Sequence, residues 1–106
     1  MSVALLVMRE GDEAAKRMVP VATQEIFRTR WLPGANQLGL DRVELMETGF
    51  DVTTENRDEV VAELERLRVW MVGALGAGAY DVERLDRLVA ELRALDFAAG
   101  VSVFLG

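Results

Sequence analysis

The sequence contains neither cysteine nor histidine. It therefore has no disulfide and no Cys/His site for zinc, haem or an iron–sulfur cluster. The absence of histidine also removes the side chain that most often acts as a general base near neutral pH. Catalysis would have to depend on carboxylates, arginines, Lys16 or Tyr80. We therefore expect a protein that is not an enzyme and that binds no cofactor.

Long apolar runs are also missing. The longest uncharged stretch, Val69–Tyr80, has 12 residues, whereas a membrane-spanning helix needs about 20. The apolar start Met1–Met8 lacks the basic residues that begin a secretory signal peptide. These features predict a cytoplasmic protein that does not contact membranes.

Basic residues are fewer than acidic residues: the chain has 12 basic and 18 acidic side chains, and its formal net charge is −6. Nucleic acids and anionic membranes are negatively charged as well, so this balance disfavours binding to either. It favours a basic protein as the partner. The chain has 106 residues and is 51% hydrophobic, which predicts one packed domain over residues 1–106.

Four segments have the composition of β-strands. Ser2–Met8 shows no alternation of polar and apolar residues, which is typical of a central strand that is buried on both faces. Met18–Ala22 contains Pro20, which lacks a backbone donor and therefore favours a sheet edge. Gly100–Leu105 is expected beside the first strand. Arg42–Val52 also reads as a strand, with an internal bulge or tight turn.

Two long helical patterns follow one another in the second half of the chain. Glu55–Leu75 repeats apolar residues at intervals of three and four, and Thr53 or Thr54 is its expected cap. Val82–Leu95 repeats them in the same way, with Asp81 as its expected cap. A short glycine-rich segment joins the two, which predicts an antiparallel helical hairpin.

A third helix is predicted over Gln24–Leu38, capped by Thr23 and either kinked or divided at Pro33. This segment combines two arginines with Phe27 and Trp31, a mixture that also occurs in nucleic-acid-binding sites. The two aromatic residues are four positions apart and share one helix face, and the basic surface is small. We therefore expect both aromatics in the core, and the arginines solvated or in salt bridges.

These elements predict the α+β class. The expected architecture is a small mixed or antiparallel sheet of about four strands, with an antiparallel helix pair and one further helix packed on it.

The glycine-rich stretch Gly73–Asp81 lacks the residue spacing of phosphate-binding loops. It follows a helix and ends on an acid where a phosphate would lie, so we interpret it as a helix–helix connection that exposes Tyr80. The acidic segments of the chain also lack the spacing of a calcium-binding loop. No metal site is predicted.

The predicted helix Glu55–Leu75 carries an acidic stripe beside its apolar face. Acids near a helix start are favoured by the helix dipole, whereas Glu63 lies deeper and could pair with Arg66. The stripe fits a solvated helix face, and it also fits an acidic docking surface that ends in a large aromatic anchor. The predicted partner-binding residues are Glu55, Glu59, Glu63, Trp70 and Tyr80.

The leading hypothesis is a small acidic, non-enzymatic protein-binding module that neutralises a basic partner. In general layout such a domain is similar to bacterial immunity proteins and antitoxin-like inhibitors, a likeness of type that no motif carries. One alternative is a homo-oligomeric domain, because Val61, Val69 and Val72 lie off the main apolar stripe. Another is a small-molecule-binding domain that uses carboxylates and arginines.

Overall fold

The computed structural model describes residues 2–9, 11–97 and 100–106. Its elements in chain order are β1 (Ser2–Arg9), β2 (Asp12–Thr23), α1 (Gln24–Ile26), a π-helix (Phe27–Trp31), α2 (Leu32–Leu38), α3 (Asp41–Leu45), β3 (Phe50–Asp51), α4 (Arg57–Leu75), α5 (Tyr80–Arg93) and β4 (Val101–Leu105). The strands form one antiparallel sheet in the order β2-β1-β4-β3. The predicted α+β class is therefore confirmed.

The sheet places the apolar ends of the chain side by side, as the sequence predicts. β1 lies between β2 and β4, and its pairing with β4 runs from Leu5–Leu105 to Arg9–Val101. β2 is an edge strand, which agrees with Pro20. It begins at Asp12 and not near Met18, because strand pairing uses backbone groups and a polar segment at a sheet edge can supply them.

The predicted strand Arg42–Val52 is wrong for most of its length. Residues 41–45 form α3, and only Phe50–Asp51 pairs with β4. Val43 and Met46 are fully buried and three residues apart, which is helical spacing, whereas Leu45 is exposed. Three apolar positions are too few to separate a period of 3.6 from a period of 2.

The segment 24–38 is helical throughout but changes its winding in the middle. Thr23 caps it as predicted, since its Oγ1 accepts the N–H of Ile26 at 3.1 Å. The N–H of Leu32 bonds the carbonyl of Phe27, five residues earlier, so this turn is a π-helix. In an α-helix the ring of Pro33 would collide with the carbonyl four residues before it. The wider turn accommodates Pro33, and the helix is divided there.

Helices α4 and α5 form the predicted antiparallel hairpin. Arg68 and Asp86 join their facing sides at 2.6 Å. The predicted cap by Thr53 or Thr54 is wrong, because Asn56 occupies the cap position of α4 without a side-chain cap hydrogen bond. Thr53 acts in the turn before the helix, where its Oγ1 accepts the N–H of Asn56 at 3.3 Å. The Oδ1 of Asn56 accepts the N–H of Thr53 in return at 2.8 Å, a reciprocal arrangement that fixes the entry to the helix.

The prediction that Asp81 caps α5 is wrong. Ala79 occupies the cap position without a side-chain hydrogen bond, and Asp81 lies inside the first turn. Its carboxylate is directed away from the backbone of α5, accepting the Trp31 Nε1–H and an Arg30 N–H at 3.1 Å each. The reason is the burial of Trp31, because a buried indole N–H requires an acceptor.

The helices cover one face of the sheet, which we call the inner face. A register row on this face joins Val19, Leu5 and Leu105, all of which are buried. Phe27 and Trp31 are fully buried beneath the helices, as predicted, with ring centroids 6.0 Å apart. The apolar stripes of the helical hairpin complete the core with Val60, Leu64, Leu67, Met71, Leu85, Leu88, Val89 and Leu92.

Candidate functional site

Glu63 lies at the centre of the predicted acidic stripe and holds α3 against α4. Its Oε1 accepts the backbone N–H of Arg42 at 2.8 Å and that of Val43 at 3.2 Å. These N–H groups belong to the first turn of α3, which has no side-chain cap of its own. The expected pairing of Glu63 with Arg66 is wrong. Arg66 donates instead to the carbonyl of Leu38. Glu63 is therefore a tertiary cap supplied by a neighbouring helix.

The surroundings of Glu63 disfavour its negative charge. Burial raises the pKa of Glu63, the hydrogen bonds from the Val43 and Arg42 backbones oppose this, and the charges of Glu59 and Asp41 raise it further. The net result is a pKa above the ordinary value. A proton would therefore be held here more firmly than on an exposed glutamate.

Two predicted residues of the stripe, Glu55 and Glu59, are exposed. Glu59 lies in the first turn of α4, whereas Glu55, the predicted first residue of this helix, lies in the turn before it because α4 begins at Arg57. Glu59 lies 3.4 Å from a guanidinium nitrogen of Arg42. Asp41, at the start of α3, is exposed on the same side and is close enough to act electrostatically on Glu63. We call Asp41, Glu55 and Glu59 the acidic face. It combines two segments of the chain, of which sequence analysis found only the one on α4.

Trp70 continues the stripe but belongs largely to the interior. Its ring packs on Gly34 of α2, where an added Cβ would lie 2.7 Å from Trp70 Cδ2. The indole N–H donates to the Oε1 of Gln37 at 3.1 Å. Trp70 is half-buried, so only part of the ring can contact a partner. Its first role is to join α2 to α4.

Tyr80 is exposed, as predicted, with 58% of its surface accessible. It contacts Arg84, whose guanidinium lies 4.7 Å from the centre of the tyrosine ring and also bonds the phenol oxygen. α4 has 19 residues, and at 1.5 Å per residue it separates Tyr80 from Glu55 by roughly 28 Å. The structure therefore places the five predicted residues in two regions and not in one.

A cavity of about 180 Å³ lies beside Tyr80 and is bordered by Asp81 and Arg84. Its polar groups already have partners within the protein: Asp81 binds Arg30 and Trp31, and Arg84 binds Tyr80 and the Pro20 carbonyl at 3.1 Å. Ligand pockets usually measure about 300–1,000 Å³. The size and the engaged side chains give little support to a small-molecule site here.

Sequence analysis missed the pairing of Asp81 with Arg30 and Trp31, which are about 50 positions away along the chain. The available signal was the predicted burial of Trp31, whose N–H had to find an acceptor somewhere. The expectation that the two arginines near it form salt bridges is confirmed. Arg28 pairs with Glu47 at 2.9 Å and Arg30 with Asp81 at 3.1 Å.

Within residues 2–9, 11–97 and 100–106, no group of three or more acidic side chains is arranged to hold a metal ion. None of the helices in these ranges combines the length and apolar character that crossing a bilayer requires. Comparison of the chain with protein-family models, curated proteins and solved structures found no match.

Proposed function

We propose that this protein is a small, acidic, non-enzymatic protein-binding module that neutralises a basic partner, in the manner of an immunity or inhibitor protein. The acidic face of Asp41, Glu55 and Glu59 is the proposed contact surface. The observation that carries the proposal is the exposure of these carboxylates: Asp41 and Glu59 lie on two helices that Glu63 fixes together, and Glu55 lies in the turn before α4.

The exposed charges of this face contribute modestly to folding: Asp41 and Glu59 lie in the first turns of α3 and α4, where the helix dipole favours an acid by about 0.3–1 kcal/mol. Like charges one helical turn apart, here Glu59 and Glu63 of α4, destabilise a helix by a few tenths of a kcal/mol. Arg42 offsets part of this through an exposed ion pair with Glu59, and such pairs contribute about 0–1 kcal/mol. Exposed acids that are held on joined segments of the chain are suited to attracting a positively charged surface.

The surroundings of half-buried Glu63 and buried Asp81 support binding rather than acid–base catalysis. Glu63 caps α3, and Asp81 is bonded to Trp31 and Arg30. Both are therefore occupied by structural contacts, whereas a general acid or base must reach the proton that it transfers.

The alternative of a homo-oligomer built on α4 loses most of its predicted surface. Val61 is buried and Val72 packs partly against the core. Of these three valines, Val69 is the exposed one, with 75% of its surface accessible. A single exposed valine is ordinary for a soluble protein.

The proposal is tested by affinity capture from a lysate of the native host, followed by identification of the captured proteins and binding assays with each purified candidate. We expect a basic protein whose affinity falls steeply with salt. The double variant Glu55→Lys/Glu59→Lys should weaken its binding at least tenfold, mainly through slower association.

The matched control is Glu83→Lys/Asp96→Lys, two exposed acid-to-base changes on and just after α5 that alter the net charge by the same amount. It should leave the affinity within about twofold, because rim charges remote from a contact act only through screened, long-range attraction. Equal losses in the control and the double variant would show that net charge alone is responsible. Capture of a partner that is insensitive to salt and to both variants would refute the proposal.

A further inference from the structure

The acidic face is shared with a cation of the same chain, Arg42. Its guanidinium approaches two groups: the carboxylate of Glu59, at 3.4 Å, and the ring of Phe50, whose centre is 5.9 Å from the guanidinium carbon. A carboxylate together with an aromatic ring is a combination that holds guanidinium groups in proteins, through charge and through the face of the ring. The free protein therefore already holds, on this face, the chemical group that a basic partner would offer.

Arg42 is fixed firmly at its backbone and loosely at its head group. Its backbone N–H donates to Glu63 at 2.8 Å, which keeps the start of the side chain against α4. The 3.4 Å contact with Glu59 is longer than the usual length of about 2.7–2.9 Å for a hydrogen bond between charged groups. The 5.9 Å contact with Phe50 is close to the limit of about 6 Å for a cation–π interaction. The head group can therefore exchange with another cation while the backbone of α3 stays in place.

The side chain of Arg42 contributes little to the position of α3. The N–H groups at the start of this helix are bonded by Glu63 and not by Glu59. The ion pair with Glu59 is exposed, and exposed pairs add little to stability. The main effect of the Arg42 side chain therefore falls on the acidic face, where it offsets the charge of one carboxylate.

We infer that Arg42 is an internal competitor for the acidic face: its guanidinium occupies the contact with Glu59 and Phe50 that a basic side chain of the partner would take, and it must be displaced before that contact forms. The inference rests on the proposed function, because it concerns how the same face selects its partner. Displacement costs the partner what the exposed pair is worth, which is up to about fivefold in affinity.

This competition determines which basic surfaces the acidic face accepts. A single arginine or lysine that replaces Arg42 exchanges one cation for another and gains little. A partner with several neighbouring arginines gains more, because one of them displaces Arg42 while the others reach Asp41 and Glu55. The expected partner therefore presents a cluster of arginines, and an isolated basic side chain is selected against.

The test is isothermal titration of hexaarginine, a peptide of clustered guanidinium groups, into the full chain at about 20 mM salt, where screening is weak. We expect Arg42→Gln to bind the peptide about three- to fivefold more tightly than the wild type, because Glu59 and Phe50 lose their internal partner. Circular dichroism should show that Arg42→Gln remains folded.

The matched control is Arg68→Gln. Arg68 also forms an exposed ion pair, with Asp86 at 2.6 Å, so this change removes the same charge and also frees a carboxylate. At about 100° per residue, the nine positions that separate Glu59 from Arg68 place them on opposite sides of α4. Arg68→Gln should therefore stay within about twofold of the wild type, since only the screened net charge acts on the acidic face.

A second readout uses the wild type alone. In ¹⁵N NMR spectra, hexaarginine should shift the Nε–H signal of Arg42 towards the position of a free arginine, whereas the Nε–H signal of Arg68 should not move. Equal affinities of Arg42→Gln and Arg68→Gln would overturn the inference, as would an Arg42 signal that stays in place while the peptide binds. Absence of binding to both the wild type and Arg42→Gln would overturn it as well.

Failure of this inference and failure of the proposed function give different results. Suppose that Glu55→Lys/Glu59→Lys weakens hexaarginine binding more than Glu83→Lys/Asp96→Lys does, while Arg42→Gln changes nothing. The acidic face then binds cations, but it has no internal competitor. If the two double variants weaken binding equally, the proposed contact surface is wrong and Arg42 has nothing to compete for.

Discussion

Glu63 shows how one side chain can determine an element in another part of the chain. Its carboxylate satisfies two N–H groups at the start of α3, a helix of only five residues. A helix this short is not stable on its own propensity. Its position therefore depends on α4, and the acidic face exists because the two helices are joined in this way.

Removing this cap should be costly, whereas removing only its charge should not. We expect Glu63→Ala to lower the free energy of unfolding by about 1–2 kcal/mol, since two backbone donors lose their acceptor. Glu63→Gln keeps an oxygen in place and should stay within about 1 kcal/mol of the wild type. Urea denaturation followed by circular dichroism measures both. Equal losses in the two variants would show that charge, and not the acceptor, matters.

The raised pKa of Glu63 gives this position a characteristic pH dependence. The unfolded chain releases the Glu63 proton at a lower pH than the folded protein does, so ionisation favours unfolding. As the pH rises from about 4 towards neutral, the wild type should lose stability relative to Glu63→Gln until the folded carboxyl has ionised as well. Denaturation of both proteins at several pH values measures this difference. A gain of the wild type over the variant in that window would contradict the assignment.

At the scale of elements, the contact between α2 and α4 depends on a glycine. Gly34 leaves room for the Trp70 ring and for Leu67, whose Cδ1 would lie 2.8 Å from an added Cβ. We expect Gly34→Ala to cost about 1–3 kcal/mol, because the ring must move out of its contact. The change should be visible in thermal denaturation and in the tryptophan fluorescence.

Gly73, in the last turns of α4, provides the matched control. An added Cβ there meets no atom within 4 Å, and alanine favours a helix over glycine by about 0.5–1 kcal/mol. Gly73→Ala should therefore stabilise the protein. If Gly34→Ala stabilised the protein as well, the described contact between Trp70 and α2 would be contradicted.

The elements that sequence could predict are those whose signal is local and repeated. The long stripes of α4 and α5 and the apolar strands β1 and β4 carry such signals, and the structure contains all four. α3 carried none, because its cap lies about 20 residues away on another helix. Asp81 was misassigned for the same reason, since its partner Trp31 lies in a different element.

At the scale of the whole molecule, the sequence predicted the fold class correctly but did not predict which site residues lie together. Glu55 and Glu59 are exposed as expected, but Glu63 and Trp70 bind the protein's own helices, and Tyr80 lies at the far end of α4. Spacing along a helix predicts which residues share a face. It does not predict which of them a neighbouring element will cover.

The charge of the molecule is distributed in a way that its total does not reveal. Arginines bridge separate elements, as in Arg17 of β2 with Glu91 of α5, 2.5 Å apart. The exposed acids of the acidic face, Asp41, Glu55 and Glu59, come from two segments of the chain.

Because of the π-helix, the packing of this molecule depends more on the number of residues in one segment than on which residues they are. Each residue of a helix turns the chain by about 100°, so the wide turn at Phe27–Trp31 sets the rotation of everything that follows it. Loss of one residue there would restore uniform winding but rotate Trp31 away from Asp81 and Gly34 away from Trp70. Related chains that preserve this fold should consequently show neither insertions nor deletions in this stretch, even where their side chains differ.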